Sequence, residues 1–112
     1  MTQTKMKRVD YLWVLPIEEG YKIGLTVAAQ DDLGKISFAT FPKVGQTLTA
    51  GDTLVELEAE KSVSEFTSPL SGTVKAINEA ALNDPSVLDD DDQINAWIAV
   101  LTDVSDSEFE KL

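Results

Sequence analysis

The stretch "LVELEAEKSVSEFTSPLSG", residues 54–72, decides the fold of this chain. Apolar and polar side chains alternate on both sides of Glu60 and Lys61, a pattern that predicts two antiparallel strands joined at these two residues. In that register Val55 lies opposite Phe66, and both side chains share an apolar face. We therefore expect a β-hairpin with one face in the core and a lysine at its tip.

The two faces of the hairpin differ in polarity. Val55, Leu57 and Phe66 point to one face, and we expect them to be buried together. Glu56 lies opposite Glu65 on the other face, and like charges in such a pair are mildly destabilising. That face should therefore be in water, which places the hairpin at an edge of the domain.

The two turn residues are poorly suited to a tight hairpin, for which Asn-Gly or Asp-Gly is preferred. Small residues, Ala59 and Ser62, flank the turn and leave Lys61 exposed and unobstructed. Most exposed lysines are only solvated charges, and this simpler interpretation applies to any lysine taken alone. The motifs "AGDTL" before the hairpin tip and "SPLSG" after it favour a functional lysine.

The composition restricts the classes of function. Hydrophobic residues make up 43% of the 112 residues and charged residues 26%, which is typical of a folded domain. The absence of cysteine and histidine excludes disulfides, Cys/His zinc sites and catalysis by a thiol or an imidazole. A net charge of −11 disfavours binding to nucleic acid. We expect one domain, residues 1–112, in the cytoplasm, with no signal peptide and no contact with a membrane.

Short apolar runs separated by turn signals predict a mostly β chain. Predicted strands include "YLWVLPI", "YKIGLTV", "KISFATF", "GTVKAIN" and "AWIAVL". The segment "AAQDDLG" predicts a helical turn that ends at Gly34. In "KISFATF" the alternation places Ile36, Phe38 and Thr40 on one face.

The hairpin and its surroundings resemble the lipoyl-attachment hairpin, in which a lysine at a β-turn carries lipoic acid in amide linkage. Within that group the sequence resembles the glycine cleavage system H proteins over about residues 11–101. The shared features are a lysine eight residues before the proline of "SP-x-SG", a glutamate three residues before the lysine, and an ordered series of landmarks. The lysine is Lys61, the glutamate is Glu58, and the "SP-x-SG" motif spans residues 68–72. The other landmarks are Ala29, Gln30, Leu33 and Gly34; Pro42, Val44 and Gly45; residues 78–80; and Trp97.

The resemblance implies an all-β barrel-sandwich hybrid with a few short helices, and a lipoyl group attached to Lys61 by a lipoate-protein ligase. The protein would then be a monomeric carrier and not an enzyme. An H protein shuttles the aminomethyl group between the glycine cleavage enzymes. A biotin-carrying domain has the same hairpin plan, but it normally has methionine on both sides of its lysine. Glu60 and Ser62 stand at those positions here, which favours lipoate.

Some positions depart from the usual H-protein pattern. "YLWV" stands where "HEW" is usual, and "DDQINAW" replaces a glycine-rich approach to the late tryptophan. In these features the chain looks more like bacterial H-like proteins, which occur beside a lipoate-protein ligase, a sirtuin-type ADP-ribosyltransferase and a macrodomain hydrolase. That resemblance implies a carrier that is ADP-ribosylated once lipoylated and that serves redox signalling or defence; the authentic H protein is the alternative.

The H-like resemblance also implies an acidic acceptor for ADP-ribose. Asp31 in "AAQDDLG" is the candidate, and Asp32 is its neighbour. The alternative is that both aspartates are merely exposed residues of a helical turn.

Three further features have structural interpretations. The run "DDDD", residues 89–92, lacks the alternating ligands, central glycine and twelfth-position glutamate of an EF-hand calcium loop. It indicates a solvated loop or a partner-recognition patch, and we expect no metal site. Trp13, Trp97 and Phe38 fall in strand patterns, and we expect them in the core. The segment "SDSEFEKL", residues 105–112, predicts a closing helix that begins with a capping box.

Overall fold

The structure is a computed structural model that describes residues 6–112. Residues 1–5, part of the start that we interpreted as lacking a signal peptide, lie outside the described residues. The strands are β1 (Lys7–Val9), β2 (Leu12–Ile17), β3 (Gly20–Leu25), β4 (Ile36–Thr40), β5 (Thr47–Leu48), β6 (Thr53–Ala59), β7 (Val63–Thr67), β8 (Gly72–Ile77) and β9 (Trp97–Thr102). The α-helices are α1 (Val27–Leu33), α2 (Glu79–Asn83) and α3 (Asp106–Glu110), and 3-10 helices span Pro85–Asp89 and Gln93–Ala96.

The strands form two antiparallel sheets. One has six strands in the order β1-β2-β3-β9-β8-β5, and the other has three in the order β4-β6-β7. Val14, Ile23, Leu57 and Leu101 are fully buried in the core that both sheets share. The prediction of a mostly β sandwich with a few short helices is confirmed. Among the described helices, none has the length and apolar character needed to span a membrane.

The hairpin of β6 and β7 has the predicted register. Val55 pairs with Phe66, Glu56 with Glu65, and Leu57 with Ser64. The glutamate-bearing face is exposed, as expected from the opposed charges. Among the described strands β7 is paired only with β6, so the hairpin forms one edge of the smaller sheet.

The burial of the hairpin's apolar face is uneven. Val55 and Leu57 are fully buried, whereas Phe66 is only half-buried. The Phe66 ring meets the exposed Tyr11 ring edge to face, with 6.4 Å between the ring centroids. The prediction that all three apolar residues are buried together is therefore correct for the two strand-centre residues and only partly correct for Phe66.

The face assignment in β4 was wrong. The register between β4 and β6 shifts between Ile36 and Phe38, which marks an irregularity of the β-bulge type. Ile36 and Ala39 are buried, while Phe38 is 55% exposed and lies outside the core. A bulge adds a residue to one strand, so the alternation of faces is broken at that point. The two tryptophans are placed better: Trp13 is fully buried, and Trp97 is half-buried.

The C-terminal helix α3 attaches to the rest of the domain through side chains. The Glu108 carboxylate accepts hydrogen bonds from the Ser71 backbone N–H and hydroxyl, at 3.0 Å each. Ser105 begins α3 but makes no side-chain capping bond. The capping box was therefore a wrong prediction, because Glu108 bonds to the "SPLSG" turn and not to the start of its own helix.

Tyr21 also holds this helix. Its ring stacks on Phe109 with 4.8 Å between centroids, and its hydroxyl donates to Asp106 Oδ1 at 2.8 Å. Burial raises the pKa of Tyr21 to about 12, and the hydrogen bond to Asp106 contributes to the rise. Because the folded pKa lies above the ordinary value of about 10, the stability that this phenol contributes is present below pH 10. It is lost as the pH rises towards 12.

We therefore expect the chain's two tyrosines to titrate above the ordinary range, with the later step near pH 12. Following the ultraviolet absorbance of phenolate against pH measures this. Tyr21→Phe should remove the later step and leave the titration of Tyr11. A wild-type titration that is complete near pH 10 would contradict the packing of Tyr21 under α3.

Candidate functional site

The tip of the β6–β7 hairpin does not need the residues that hairpin turns usually prefer. The Ala59 N–H donates to the Ser62 carbonyl at 2.9 Å and closes the turn around Glu60 and Lys61. Neither turn residue has a positive φ angle. Asn-Gly and Asp-Gly are favoured in tight hairpins because they tolerate positive φ, and that requirement is absent here.

The tip is held by the segment that joins α1 to β4. The Glu60 N–H donates to the Lys35 carbonyl at 2.8 Å, and the Lys61 N–H donates to the Leu33 carbonyl at 2.9 Å. Gly34 lies between these two acceptors with φ of 75°. A tertiary contact therefore fixes the geometry of the tip, and the turn sequence is free to be Glu-Lys.

The Lys61 side chain also contacts α1. Its ammonium donates to the Asp31 backbone carbonyl at 2.9 Å. Carbonyls in the last turn of a helix lack intrahelical donors and carry the negative end of the helix dipole, so a cation is favoured there. The Lys61 ammonium thus caps the end of α1 while the side chain stays exposed.

Acidic groups surround the lysine on the α1 side. Asp31, Glu60, Asp89 and Asp91 line a shallow depression together with Lys61. Burial raises the pKa of the Asp89 carboxyl, although hydrogen bonds from the Ile36 N–H at 3.1–3.2 Å oppose the rise. The described residues contain no cluster of acidic, histidine or cysteine side chains with the geometry of a metal site.

A larger groove lies beside the other face of the tip. It has a volume of about 710 Å³, within the range of pockets that bind small organic groups. Ser62, Ser64 and Phe66 form one wall, and Tyr11 and Asp32 form part of the other. The groove is therefore lined by both aromatic and polar side chains.

Tyr11 was not predicted as a site residue. Its hydroxyl donates to the Asp32 carboxylate, and this hydrogen bond raises the pKa of the Tyr11 phenol. Its backbone carbonyl accepts hydrogen bonds from the N–H and hydroxyl of Thr26, both at 3.0 Å. The one signal in the sequence was the replacement of "HEW" by "YLW", since it indicates a change at this position but not its contacts.

The structure thus brings both predicted site residues together. Lys61 lies at the tip, and Asp31 is exposed beside it. Asp32 points away into the groove, where it binds Tyr11. The two neighbouring aspartates therefore have different surroundings: Asp31 lies beside Lys61, and Asp32 is bonded to Tyr11. The sequence could not distinguish them.

The close approach of Gly34 to the tip leads to a prediction. A Cβ at residue 34 would lie 2.9 Å from Glu60 Oε1 and 3.4 Å from Lys61 Cγ, whereas a Cβ at Gly45 would have nothing within 4 Å. Both glycines have positive φ, so alanine should strain each backbone by roughly 1–3 kcal/mol. Beyond this shared strain, we expect Gly34→Ala, but not Gly45→Ala, to slow lipoylation of Lys61. Intact mass followed over time measures the rate. Equal modification rates in Gly34→Ala and Gly45→Ala would contradict the described anchoring of the tip.

Comparison with known proteins identifies the family. The family model described as "Glycine cleavage H-protein" matches residues 3–112. The chain belongs to this family. A glycine cleavage system H protein of Coprothermobacter proteolyticus is 43% identical over 99 residues, which are 86% of this chain and 78% of that protein. One from Listeria welshimeri is 37% identical over 103 residues, 92% of this chain and 82% of that protein.

The fold of this chain matches that of a solved H-protein structure. The crystal structure of a glycine cleavage system H protein from Mycobacterium marinum matches with a TM-score of 0.75. The match covers 99% of this chain and 98% of that chain at 23% sequence identity. At this identity the likeness shows the fold, and it confirms the barrel-sandwich prediction.

Membership of the H-protein family establishes the general role. The chain is a lipoyl carrier protein and not an enzyme, and its cofactor is covalently attached lipoic acid. Its partners are the glycine cleavage enzymes and lipoate ligase. The named relatives are glycine cleavage H proteins, so the findings support the authentic H protein better than the H-like carrier.

Proposed function

We propose that this protein carries its lipoyl group on Lys61 and shuttles the aminomethyl group between glycine decarboxylase and aminomethyltransferase. The observation that carries the proposal is the exposed Lys61 at a hairpin tip that two backbone hydrogen bonds hold in place. A ligase can find such an amine in one fixed geometry. Other lysines lack this support: Lys75 lies within β8, and Lys43 lies in the turn after β4.

The residues around Lys61 fit a lipoyl group. When bound, lipoate supplies a dithiolane whose disulfide and dithiol forms exchange. Tyr11 and Phe66 offer aromatic surface to its aliphatic chain, and the serines at residues 62 and 64 add polar groups beside the tip. Asp32 and Glu65 at the same groove favour a cationic group near its rim. Tethering to Lys61 keeps the reactive group at a raised effective concentration for successive enzymes.

Reconstitution of glycine cleavage tests the proposal. Glycine decarboxylase, aminomethyltransferase and an enzyme that reoxidises the dihydrolipoyl dithiol to the disulfide are supplied with this chain in lipoylated or unmodified form. We expect glycine-dependent release of CO2 only with the lipoylated chain. Equal rates with both forms, or no rate with the lipoylated form when another H protein is active in the same mixture, would refute the carrier role in glycine cleavage.

We propose, as a second candidate, that Asp31 accepts ADP-ribose in the lipoylated protein. The supporting observation is that the Asp31 backbone lies 2.9 Å from Lys61 Nζ while its side chain is exposed. Asp32 is less suited, because its carboxylate accepts the Tyr11 hydroxyl. The reaction would join an Asp31 carboxylate oxygen to the ribose carbon of NAD as nicotinamide leaves. The added phosphates would oppose docking of acidic partners.

The acceptor is tested with a sirtuin-type transferase, NAD and intact mass. Wild-type protein and Asp32→Asn should gain ADP-ribose after lipoylation, whereas Asp31→Asn should not. Modification that is equal in the lipoylated and bare proteins would remove the dependence on the lipoyl group. Modification of Asp31→Asn at the wild-type rate would place the acceptor elsewhere, and a macrodomain hydrolase would then have no role at Asp31.

A further inference from the structure

The outer face of the β4-β6-β7 sheet carries two large apolar side chains in water. Phe38 is 55% exposed and Val63 is 77% exposed. The strand register places Phe38 beside Glu58 and Glu58 beside Val63, so the three residues form one row across the sheet. We call Phe38 and Val63 the apolar pair. Val63 is the first residue of β7 and follows Lys61 by two residues.

A shallow groove runs along the apolar pair, and its rim is acidic. Glu56, Glu58 and Glu65 line it, and none of its lining residues within the described range 6–112 is basic. The Thr53 hydroxyl donates to Glu65 Oε2 at 2.8 Å, which holds that carboxylate on this face. An apolar groove bordered by fixed negative charge complements a partner with an apolar projection bordered by lysine or arginine.

The apolar pair does not serve the core. Phe38 lies outside the cluster of buried side chains, because the irregularity in β4 turns it outwards. A second copy of this chain is a poor occupant, since a symmetric contact would bring the same glutamates together on two chains of net charge −11. The partner must therefore be a different protein with a basic contact surface.

The partner that docks on this groove can be identified from how close each enzyme must come to Lys61. An enzyme that acylates Lys61 must bring Nζ itself into its active site, so it must contact residues next to the tip. Enzymes that act later reach the sulfur atoms at the far end of a flexible arm and have no need to touch the hairpin. Val63 follows Lys61 by two residues, which places the apolar pair within the footprint of the acylating enzyme.

We propose that the apolar pair and its glutamate rim form the docking surface for the ligase that lipoylates Lys61. This proposal rests on Lys61 being the attachment site. In the reaction, deprotonated Nζ attacks the carbonyl carbon of a lipoyl–AMP mixed anhydride. The amide C–N bond forms as the bond to AMP breaks, and the amine gives up a proton to solvent. Docking on the hairpin face holds Nζ for this attack after it leaves the Asp31 carbonyl.

Matched substitutions test the docking surface. Val63→Thr removes apolar character with little change of shape, and Val44→Thr does the same at a 59% exposed valine in the turn after β4. Phe38→Thr removes the other member of the apolar pair. We expect kcat/KM for acylation by lipoate ligase to fall by at least about tenfold for Val63→Thr and Phe38→Thr. Val44→Thr should match wild type, and circular dichroism should show that all three variants are folded.

The outcomes separate the two proposals. Acylation of Val63→Thr and Phe38→Thr at the wild-type kcat/KM overturns the docking surface and leaves Lys61 as the attachment site. Normal acylation followed by failure with glycine decarboxylase would assign the surface to that enzyme and overturn the ligase assignment. Absence of acylation in wild-type protein would overturn the attachment site and the docking surface with it. Glu56→Lys should lower kcat/KM further and weaken its dependence on salt.

Discussion

Lys61→Arg is expected to abolish both lipoylation and carrier activity in reconstituted glycine cleavage. Arginine keeps the positive charge, and its guanidinium can still donate to the Asp31 carbonyl at the end of α1. It cannot act as an amine nucleophile at neutral pH, because the guanidinium remains protonated. Intact mass should show no lipoyl gain, and glycine-dependent CO2 release should fall to the level of the unmodified chain.

Lys75→Arg is the matched control for this substitution. Lys75 is also exposed, but it lies within β8 and not at a turn. We expect normal lipoylation and carrier activity in this variant. Both substitutions should change the free energy of unfolding by no more than about 0.5 kcal/mol, since each is at the surface. A lipoyl gain that persists in Lys61→Arg and disappears in Lys75→Arg would reverse the assignment.

Leu57→Ala is expected to have the largest effect on stability within the hairpin. Leu57 is fully buried in β6 and packs in the core shared by the two sheets. Truncation of a buried leucine lowers the free energy of unfolding by about 2–5 kcal/mol. The whole stability of a small domain is about 5–15 kcal/mol. Urea unfolding should therefore show a large fall in the midpoint, and the tip should lose its anchored geometry in part of the population.

Glu58→Ala provides the control in the adjacent position. Glu58 points to the opposite, exposed face of the same strand, so its removal should change the free energy of unfolding by no more than about 0.5 kcal/mol. Equal losses for Leu57→Ala and Glu58→Ala would mean that the two faces of β6 are assigned wrongly. Phe66→Ala should cost less than full burial would imply, because Phe66 is only half-buried.

The hairpin could be predicted because its information is local. Alternation with a period of two fixes which residues share a face, and the two turn residues fix the register. Val55 and Leu57 are buried and Glu56 is exposed as that pattern requires. The family landmarks then identified Lys61 as the candidate attachment site, which no property of a single lysine could do.

The remaining features depend on contacts between distant segments. The irregularity in β4 exposes Phe38, and no residue in "KISFATF" signals it. Glu108 has capping-box spacing but bonds to Ser71, 37 residues away in sequence. The turn at Lys61 is stabilised by hydrogen bonds to carbonyls of the α1–β4 connection. Because that segment is distant in sequence, the Glu-Lys turn looked unsuited when the hairpin sequence was considered alone.

The proximity of Asp31 to Lys61 is the clearest case of this limit. The two residues are 30 positions apart in sequence, and the hairpin must fold back onto α1 before they meet. The resemblance to H-like proteins suggested Asp31, but spacing alone could not place it beside the lysine. The structure also shows that Asp32 faces a different groove, where it binds Tyr11.

Peptide mapping by tandem mass spectrometry tests the central claim, which is that the lipoyl group resides on Lys61. The unaltered chain is produced with a lipoate-protein ligase and lipoate, digested, and its modified peptides are sequenced. We expect one lipoyl group per chain, on the peptide that contains Lys61. A lipoyl group on Lys43 or Lys75, or an unmodified Lys61 in protein that has gained the lipoyl mass, would contradict it.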